Sequence, residues 1–266
     1  MTDADFRTVL EWFGLSWRGY RRVRQGAKKR LTRHMRQLGC ATIDQYLKAL
    51  AHDPGAGLVA EQQLSVSISR FFRDRPLWDM LERAILPELT ALQTPSIRVW
   101  SAGCACGEEL YSFKILWEQA LQHGGRAPCL ELLGTDLNPV VLERAKQGLY
   151  PLSSLKEVPD ELRAGYFRTD AAASAAAILP AMREGVSWML HDLRAGPPHG
   201  WSFELIFLRN NLLTYWKLET RREAFVRVVK SLVGGGFLVI GRDERLPAPA
   251  EDYPLMMIDL NIFQKW

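Results

Sequence analysis

The spacing of apolar residues changes partway along the chain, and the change divides it in two. From residue 3 to residue 64 apolar side chains recur three and four apart, the period of helices with one buried stripe. Leu31, Met35 and Leu38 fall at i, i+4 and i+7, and residues 41–50 predict a further amphipathic helix, closed by the turn-forming Asp53, Pro54 and Gly55. Residues 65–75 interrupt the pattern, and a helix is predicted from Pro76 to about Thr90. Short apolar runs then alternate with helical stretches: strand 97–100, small-residue loop 101–107, helix 108–121, strand 130–133 and helix 139–147. Between residues 148 and 200 the pattern loosens, which predicts an insertion. Strand 203–208, helix 218–232, a turn at Gly234, Gly235 and Gly236, strand 237–240 and strand 260–265 complete the reading, with 247–254 as the excursion between the last two strands. The expectation is α/β: a small all-α helical domain over 1–75, then a doubly wound Rossmann-like domain over 76–266.

Composition narrows the class. The 266 residues are 47% hydrophobic and 24% charged, with neither glycine nor proline in excess, which disfavours disordered and collagen-like chains. No segment approaches the roughly 20 uninterrupted apolar residues of a membrane span, and the opening Met1-Thr2-Asp3-Ala4-Asp5 does not read as a signal peptide. A cytoplasmic location is the expectation. Cys104 and Cys106 lack a second Cys/His pair at zinc spacing, and no HExxH occurs among the five histidines, so no metal site is predicted.

Charge is uneven. Residues 1–75 hold 14 Lys/Arg against 7 Asp/Glu, whereas residues 76–266 hold 20 against 23. The excess lies between Arg18 and Arg36; Lys29, Arg33 and Arg36 fall on one cationic face, and Arg30, Arg33 and Arg36 are the expected contacts to an anionic partner. A solvated helix surface is the plainer reading. The segment has only Trp17 and Tyr20 as stacking aromatics and fits no nucleic-acid recognition motif.

Candidate chemistry gathers after the first predicted strand. A loop of small residues leading into a helix brings backbone N–H groups near a ligand, and here it reads Ser101-Ala-Gly-Cys-Ala-Cys-Gly107. Glu108 and Glu109 follow at once, a pair that would repel a pyrophosphate and favours a ligand with cationic groups, such as the amino group and sulfonium of S-adenosylmethionine. Asp136, just past the second strand, stands where a ribose is gripped through its hydroxyls; a helix N-cap is the competing role for it.

Several blocks together resemble the CheR family of chemotaxis-receptor glutamate O-methyltransferases. They are Lys29-Arg-Leu-Thr-Arg-His-Met-Arg36, Ser69-Arg-Phe-Phe-Arg-Asp74, Val99-Trp-Ser-Ala-Gly-Cys-Ala-Cys-Gly-Glu-Glu-Leu-Tyr-Ser112, Gly134-Thr-Asp136, and Ile206-Phe-Leu-Arg-Asn210 with Tyr215. The resemblance implies S-adenosyl-L-methionine as cofactor, S-adenosyl-L-homocysteine as product, and the cytoplasmic helices of chemotaxis receptors as acceptor. It implies cofactor contacts at Ser67, Ser69, Arg73, Gly103, Glu108, Asp136, Asp192, Leu193, Arg209 and Asn210, with Arg73 and Tyr215 beside the transferred methyl. It also implies a small antiparallel β-subdomain inserted at about 165–190.

The chain departs from the family pattern at Ser67, Ser69, Leu110, Asp192 and Asn211. Without the resemblance, Arg73 reads more readily as one half of a structural ion pair and Tyr215 as a half-buried core tyrosine. The residues also leave open another protein or small-molecule acceptor on the same fold, or a cofactor-binding module without transfer. Oligomeric state is not legible.

Overall fold

The computed structural model describes residues 1–122, 127–170, 172–259 and 261–266. Ala171, in the predicted insertion, and Leu260, the expected start of the last strand, lie outside the described residues.

The front of the chain folds as the helices Asp3–Trp12, Trp17–Tyr20, Arg24–Gln37, Ile43–His52 and Pro54–Leu64. Thr2 with Asp5, and Thr42 with Gln45, close reciprocal capping boxes that satisfy the free N–H groups of two helix starts. Asp53 ends the fourth helix and also starts the next, accepting the Gly55 N–H at 2.8 Å while Pro54 opens the first turn. Phe6, Leu31, Tyr46, Ala60 and Leu64 pack into a core of their own.

The Arg24–Gln37 helix is rotated from its predicted setting. Its buried face is Ala27, Leu31 and His34, because the Tyr46 hydroxyl meets His34 Nδ1 at 2.8 Å; Leu38 is exposed. The rotation carries Arg30 to the edge of the buried face, where Nε and Nη2 donate to the carbonyls of Gln63 and Ser65, each at 2.8 Å. Arg30 is therefore corrected from a surface cation to an internal clamp. Arg33 and Arg36 stay exposed.

Next comes a helical stretch over Arg75–Met80, Leu81–Ile85 and Leu86–Ala91, whose middle turn is a wide π turn. Pro87 lacks the N–H that a regular turn would need there. The strands are β1 (Ser96–Ala102), β2 (Cys129–Asp136), β3 (Leu149–Pro151), β4 (Phe167–Asp170), β5 (Ala175–Ile178), β6 (Val186–Leu190), β7 (Phe203–Leu208), β8 (Leu232–Ile240), β9 (Leu255–Asp259) and β10 (Ile262–Lys265). Seven form one sheet in the order β6-β2-β1-β7-β8-β10-β9. The five from β6 to β8 run parallel, β10 is antiparallel to β8, and β9 is antiparallel to β10. Helices Glu108–Gln122, Pro139–Gln147 and Leu218–Lys230 make the crossovers. The chain enters the sheet at β1, builds outward through β2 to β6, then returns to lay β7 against the other side of β1. That reversal is a topological switch point, where open α/β sheets hold ligands.

Leu205, Ile206, Phe207 and Leu208 are wholly buried, and burial of each such side chain contributes roughly 1.5–3 kcal/mol before ordering costs. Continuous apolar runs of this kind are what two-sided helical cover demands of a parallel strand.

Three expectations are corrected. The inserted sheet, ordered β3-β5-β4, begins at Leu149 rather than near residue 165, and Val186–Leu190 belongs to the large sheet, pairing in parallel with β2. The Gly234–Gly236 run is not a turn but part of β8, where the pairing with β7 shifts register. Residues 255–259 form an additional edge strand antiparallel to β10, and Asn261, just before β10, has φ of 72°.

Candidate active site

A cleft opens at the C-terminal ends of β1, β2, β6 and β7, with the helical front as its roof. Gly103, Asp136, Leu137, His191, Asp192, Leu193, Asn210 and Asn211 line the sheet side, while Leu15, Tyr20, Glu61, Leu64, Ser65 and Val66 line the roof; Tyr215 and Trp216 stand where the two meet. The roof is held by its own carbonyls. Arg30 takes those of Gln63 and Ser65, and the Tyr20 hydroxyl takes that of Leu64 at 2.9 Å. At the same seam Ser16 N–H donates to Tyr215 O at 2.7 Å, Lys217 N–H donates to Gly14 O at 3.0 Å, and the Tyr20 and Tyr215 rings lie 4.9 Å apart.

The loop after β1 is wrapped tightly. Gly103 and Cys104 both donate to Thr135 O at 2.8 Å, and Asp136 Oδ2 accepts the Ala105 N–H at 3.1 Å. Gly103, at φ +83°, is forced: a Cβ there would fall 1.7 Å from Asn211 Nδ2. Phe72, Asp74, Ala105 and Asn210 are non-glycine residues in the left-handed region, and Asn210 lines the cleft. Such conformations cost about 1–3 kcal/mol each and cluster at functional sites.

The carboxylates are arranged for a cation-bearing ligand. Asp136 is 9% exposed; burial raises its carboxyl, against the N–H groups of Asn138 and Ala105 that favour the ionised form. Glu108 is 4% exposed, burial pushes its carboxyl up to about 7, and Oε2 has no hydrogen-bond partner among the described residues. An unmet buried carboxylate oxygen at the mouth of a glycine-rich loop is what the ammonium of an amino-acid ligand would satisfy. The residues present thus fit S-adenosylmethionine: Glu108 for its amino group, Asp136 for its ribose, and the apolar surface of Leu137 and Leu193 for its adenine.

The predicted residues distribute unevenly. Gly103, Asp136, Asp192, Leu193, Asn210 and Tyr215 line the one cleft. Ser69 reaches the Glu108 side chain, and the Ser67 hydroxyl lies 3.2 Å from that of Ser65. Arg73 donates to Ile68 O at 3.0 Å, and its charge acts on Tyr215, whose hydroxyl burial pushes up to about 12. Arg209 is turned away. Its guanidinium, 3% exposed, pairs with Asp74 at 2.6 Å and Glu109 at 2.9 Å and donates to Arg73 O, bracing the Phe72–Asp74 bend against the start of the Glu108–Gln122 helix. Its side chain is thus a brace, engaged with protein partners.

Sequence reasoning missed Tyr20, Arg30 in its clamp role, Glu61, Arg194 and Glu244. Glu61 and Asp192 share the Arg194 guanidinium at 2.8 and 2.6 Å, and Arg194 also stacks on Trp216. Only the Asp192–Arg194 spacing is local enough to read from sequence.

Residues 67–261 match the family model of the CheR methyltransferase, S-adenosylmethionine-binding domain. A chemotaxis protein methyltransferase of Listeria innocua is 32% identical over 256 residues, covering 95% of this chain and 92% of that one. Its Listeria monocytogenes counterpart is 32% identical over 255 residues with the same coverage. Among solved structures, the N-methyltransferase NodS of Bradyrhizobium japonicum with S-adenosyl-l-homocysteine aligns at 19% identity and a TM-score of 0.33, over 64% of this chain and 63% of that one. No helix among the described residues is long and apolar enough to cross a membrane. With the loop, the carboxylates and the switch-point cleft in place, the matched domain and the relatives spanning nearly the whole chain settle the family: the chain belongs to the CheR chemotaxis methyltransferases, which use S-adenosylmethionine.

Proposed function

We propose that this enzyme methylates glutamate side chains on the cytoplasmic helices of chemotaxis receptors, giving methyl esters. The observation that carries the reading is that Tyr215 lines the cleft with the Arg73 charge acting on its hydroxyl, while Nε2 of the cleft's His191 is engaged by Gly196 O at 2.6 Å. A glutamate, with a pKa of about 4.3, is already ionised at neutral pH and needs no base. The cofactor, when bound, supplies a methyl group on a positively charged sulfur.

The protein's own residues do the rest. Glu108 and Asp136 fix the two polar ends of the cofactor, and the roof from Glu61 to Val66 excludes water from the space between. Arg73 and the Tyr215 hydroxyl orient the incoming carboxylate. Alignment at about 3–3.5 Å and removal of water together lower a transfer barrier by several kcal/mol. Arg73 is held by Ile68 O through one nitrogen, which leaves a looser grip than a two-point clamp and preserves carboxylate nucleophilicity.

Arg33 and Arg36 supply the docking charge. Both are exposed and bear no ion pair among the described residues, and they complement helices rich in glutamate. The test is transfer of labelled methyl from S-adenosylmethionine to purified cytoplasmic receptor fragments. Label that is released by base and lost when acceptor glutamates become alanine is expected. Base-stable label, or label confined to another protein or a small molecule, contradicts the proposal.

A further inference from the structure

We infer that Glu244 is a positioning residue for methyl transfer, fixing from behind the turn that carries Asn210, Asn211 and Tyr215 to the cleft. The inference rests on the proposed role of Tyr215. Glu244 does not line the cleft and acts through its neighbours. It is 5% exposed, and three donors from three elements converge on its carboxylate. Oε2 accepts the N–H of Asn210, just past β7, at 2.9 Å and that of Gly241, just past β8, at 2.7 Å. Oε1 accepts the hydroxyl of Thr214, in the Leu212–Tyr215 helix, at 2.6 Å.

The turn needs such an anchor. Asn210 sits at φ 55°, where a non-glycine residue persists only if its surroundings hold it. Gly241 is shaped to the same contact, since a Cβ there would lie 2.7 Å from Glu244 Oε2 and 3.1 Å from Asn210 Cγ. Downstream, Asn211 presses on Gly103 of the cofactor loop, and Tyr215 directly follows the anchored Thr214. One buried carboxylate therefore ties the ends of two parallel strands to the residue beside the reacting group. Because misplacement on the order of 1 Å costs up to about a hundredfold in rate, loss of the tie should appear in turnover before it appears in binding.

Glu244→Gln serves as the conservative rescue: its carbonyl can accept both amides while its NH₂ donates to the Thr214 hydroxyl. Glu244→Ala removes the tie, and Thr214→Val removes one arm if the alanine variant fails to fold. Three quantities decide: S-adenosylhomocysteine affinity by calorimetry, kcat and KM on receptor fragments, and amide hydrogen exchange across 210–215. The expected result is faster exchange and at least about a tenfold lower kcat in Glu244→Ala, with affinity within about threefold. Gln should restore kcat to within about threefold, and Thr214→Val should fall between. Wild-type exchange and kcat in Glu244→Ala and Thr214→Val would overturn the inference, as would kcat and affinity falling together with no rescue by Gln. Exchange needs no acceptor, so wild-type enzyme silent on receptor fragments refutes the receptor reading, whereas wild-type exchange in Glu244→Ala overturns this one.

Discussion

Glu61 and Arg194 meet at 2.8 Å across the seam between the helical front and the sheet, and the same guanidinium grips Asp192 at 2.6 Å. The roof of the cleft is thereby latched to the floor at the end where the adenine is expected. Mutating Glu61→Gln, Arg194→Ala and both should give non-additive losses of cofactor affinity. A coupling of about 1 kcal/mol is expected, reduced from that of a fully buried pair because Arg194 is 36% exposed. Additive losses would show that the pair does not act as a unit.

Glu108 sets a pH dependence. Burial pushes its carboxyl up to about 7, above its ordinary value, so the group gives up its charge as pH falls through neutrality. A bound ammonium favours the ionised form, so affinity should rise with pH through 7 and level off above it. S-adenosylhomocysteine should bind about tenfold more weakly at pH 6 than at pH 8, and Glu108→Gln should flatten the curve. The stability effect has the opposite sense: a raised carboxyl pKa makes the unliganded fold gain stability as pH falls from about 7 toward the unfolded value. Calorimetry across pH tests the first statement and thermal unfolding of the free protein the second.

Gly103→Ala should be costly for two separate reasons. The backbone is left-handed there, and the new Cβ would fall 1.7 Å from Asn211 Nδ2. A stability loss of about 2 kcal/mol with loss of cofactor binding is expected, measured by denaturant unfolding and calorimetry. Gly39→Ala provides the control: its φ is +69°, with no atom within 4 Å of the added Cβ, so it carries the backbone cost alone and leaves binding intact.

The basic helix separates into two roles. Arg33→Glu with Arg36→Glu should lower receptor methylation about tenfold and weaken its salt dependence while leaving cofactor affinity unchanged. Arg30→Glu should instead impair cofactor binding, because it frees the Gln63 and Ser65 carbonyls that hold the roof. Rates and affinities of the two sets of variants, compared at low and moderate salt, distinguish the roles.

What the sequence revealed depended on how local each signal is. β7 and the Pro139–Gln147 helix occupy their predicted residues, because an unbroken apolar run and an Asn138-Pro139 start are local signals. β6 was hidden because it lies at the sheet edge, where Ser187, Met189 and Leu190 are exposed and no buried-strand pattern forms. The glycines of β8 resembled a turn; a Cβ at Gly236 would meet Glu204 O at 3.1 Å, so the close approach of β7 explains that residue where a reversal was expected. Arg30, Arg209 and Glu244 carry the same lesson for side chains. Each is charged, and each is held by partners from distant segments that only the fold brings together, Glu244 with the nearby Gly241 N–H in addition.

The most direct test of the cofactor site is calorimetric titration of the wild type, Asp136→Ala and Asp136→Asn with S-adenosylhomocysteine. Saturable one-to-one binding by the wild type, weakened at least about thirtyfold in both variants, is the predicted result. Wild-type affinity in both variants, or no binding by the wild type, would contradict the assignment of the cleft.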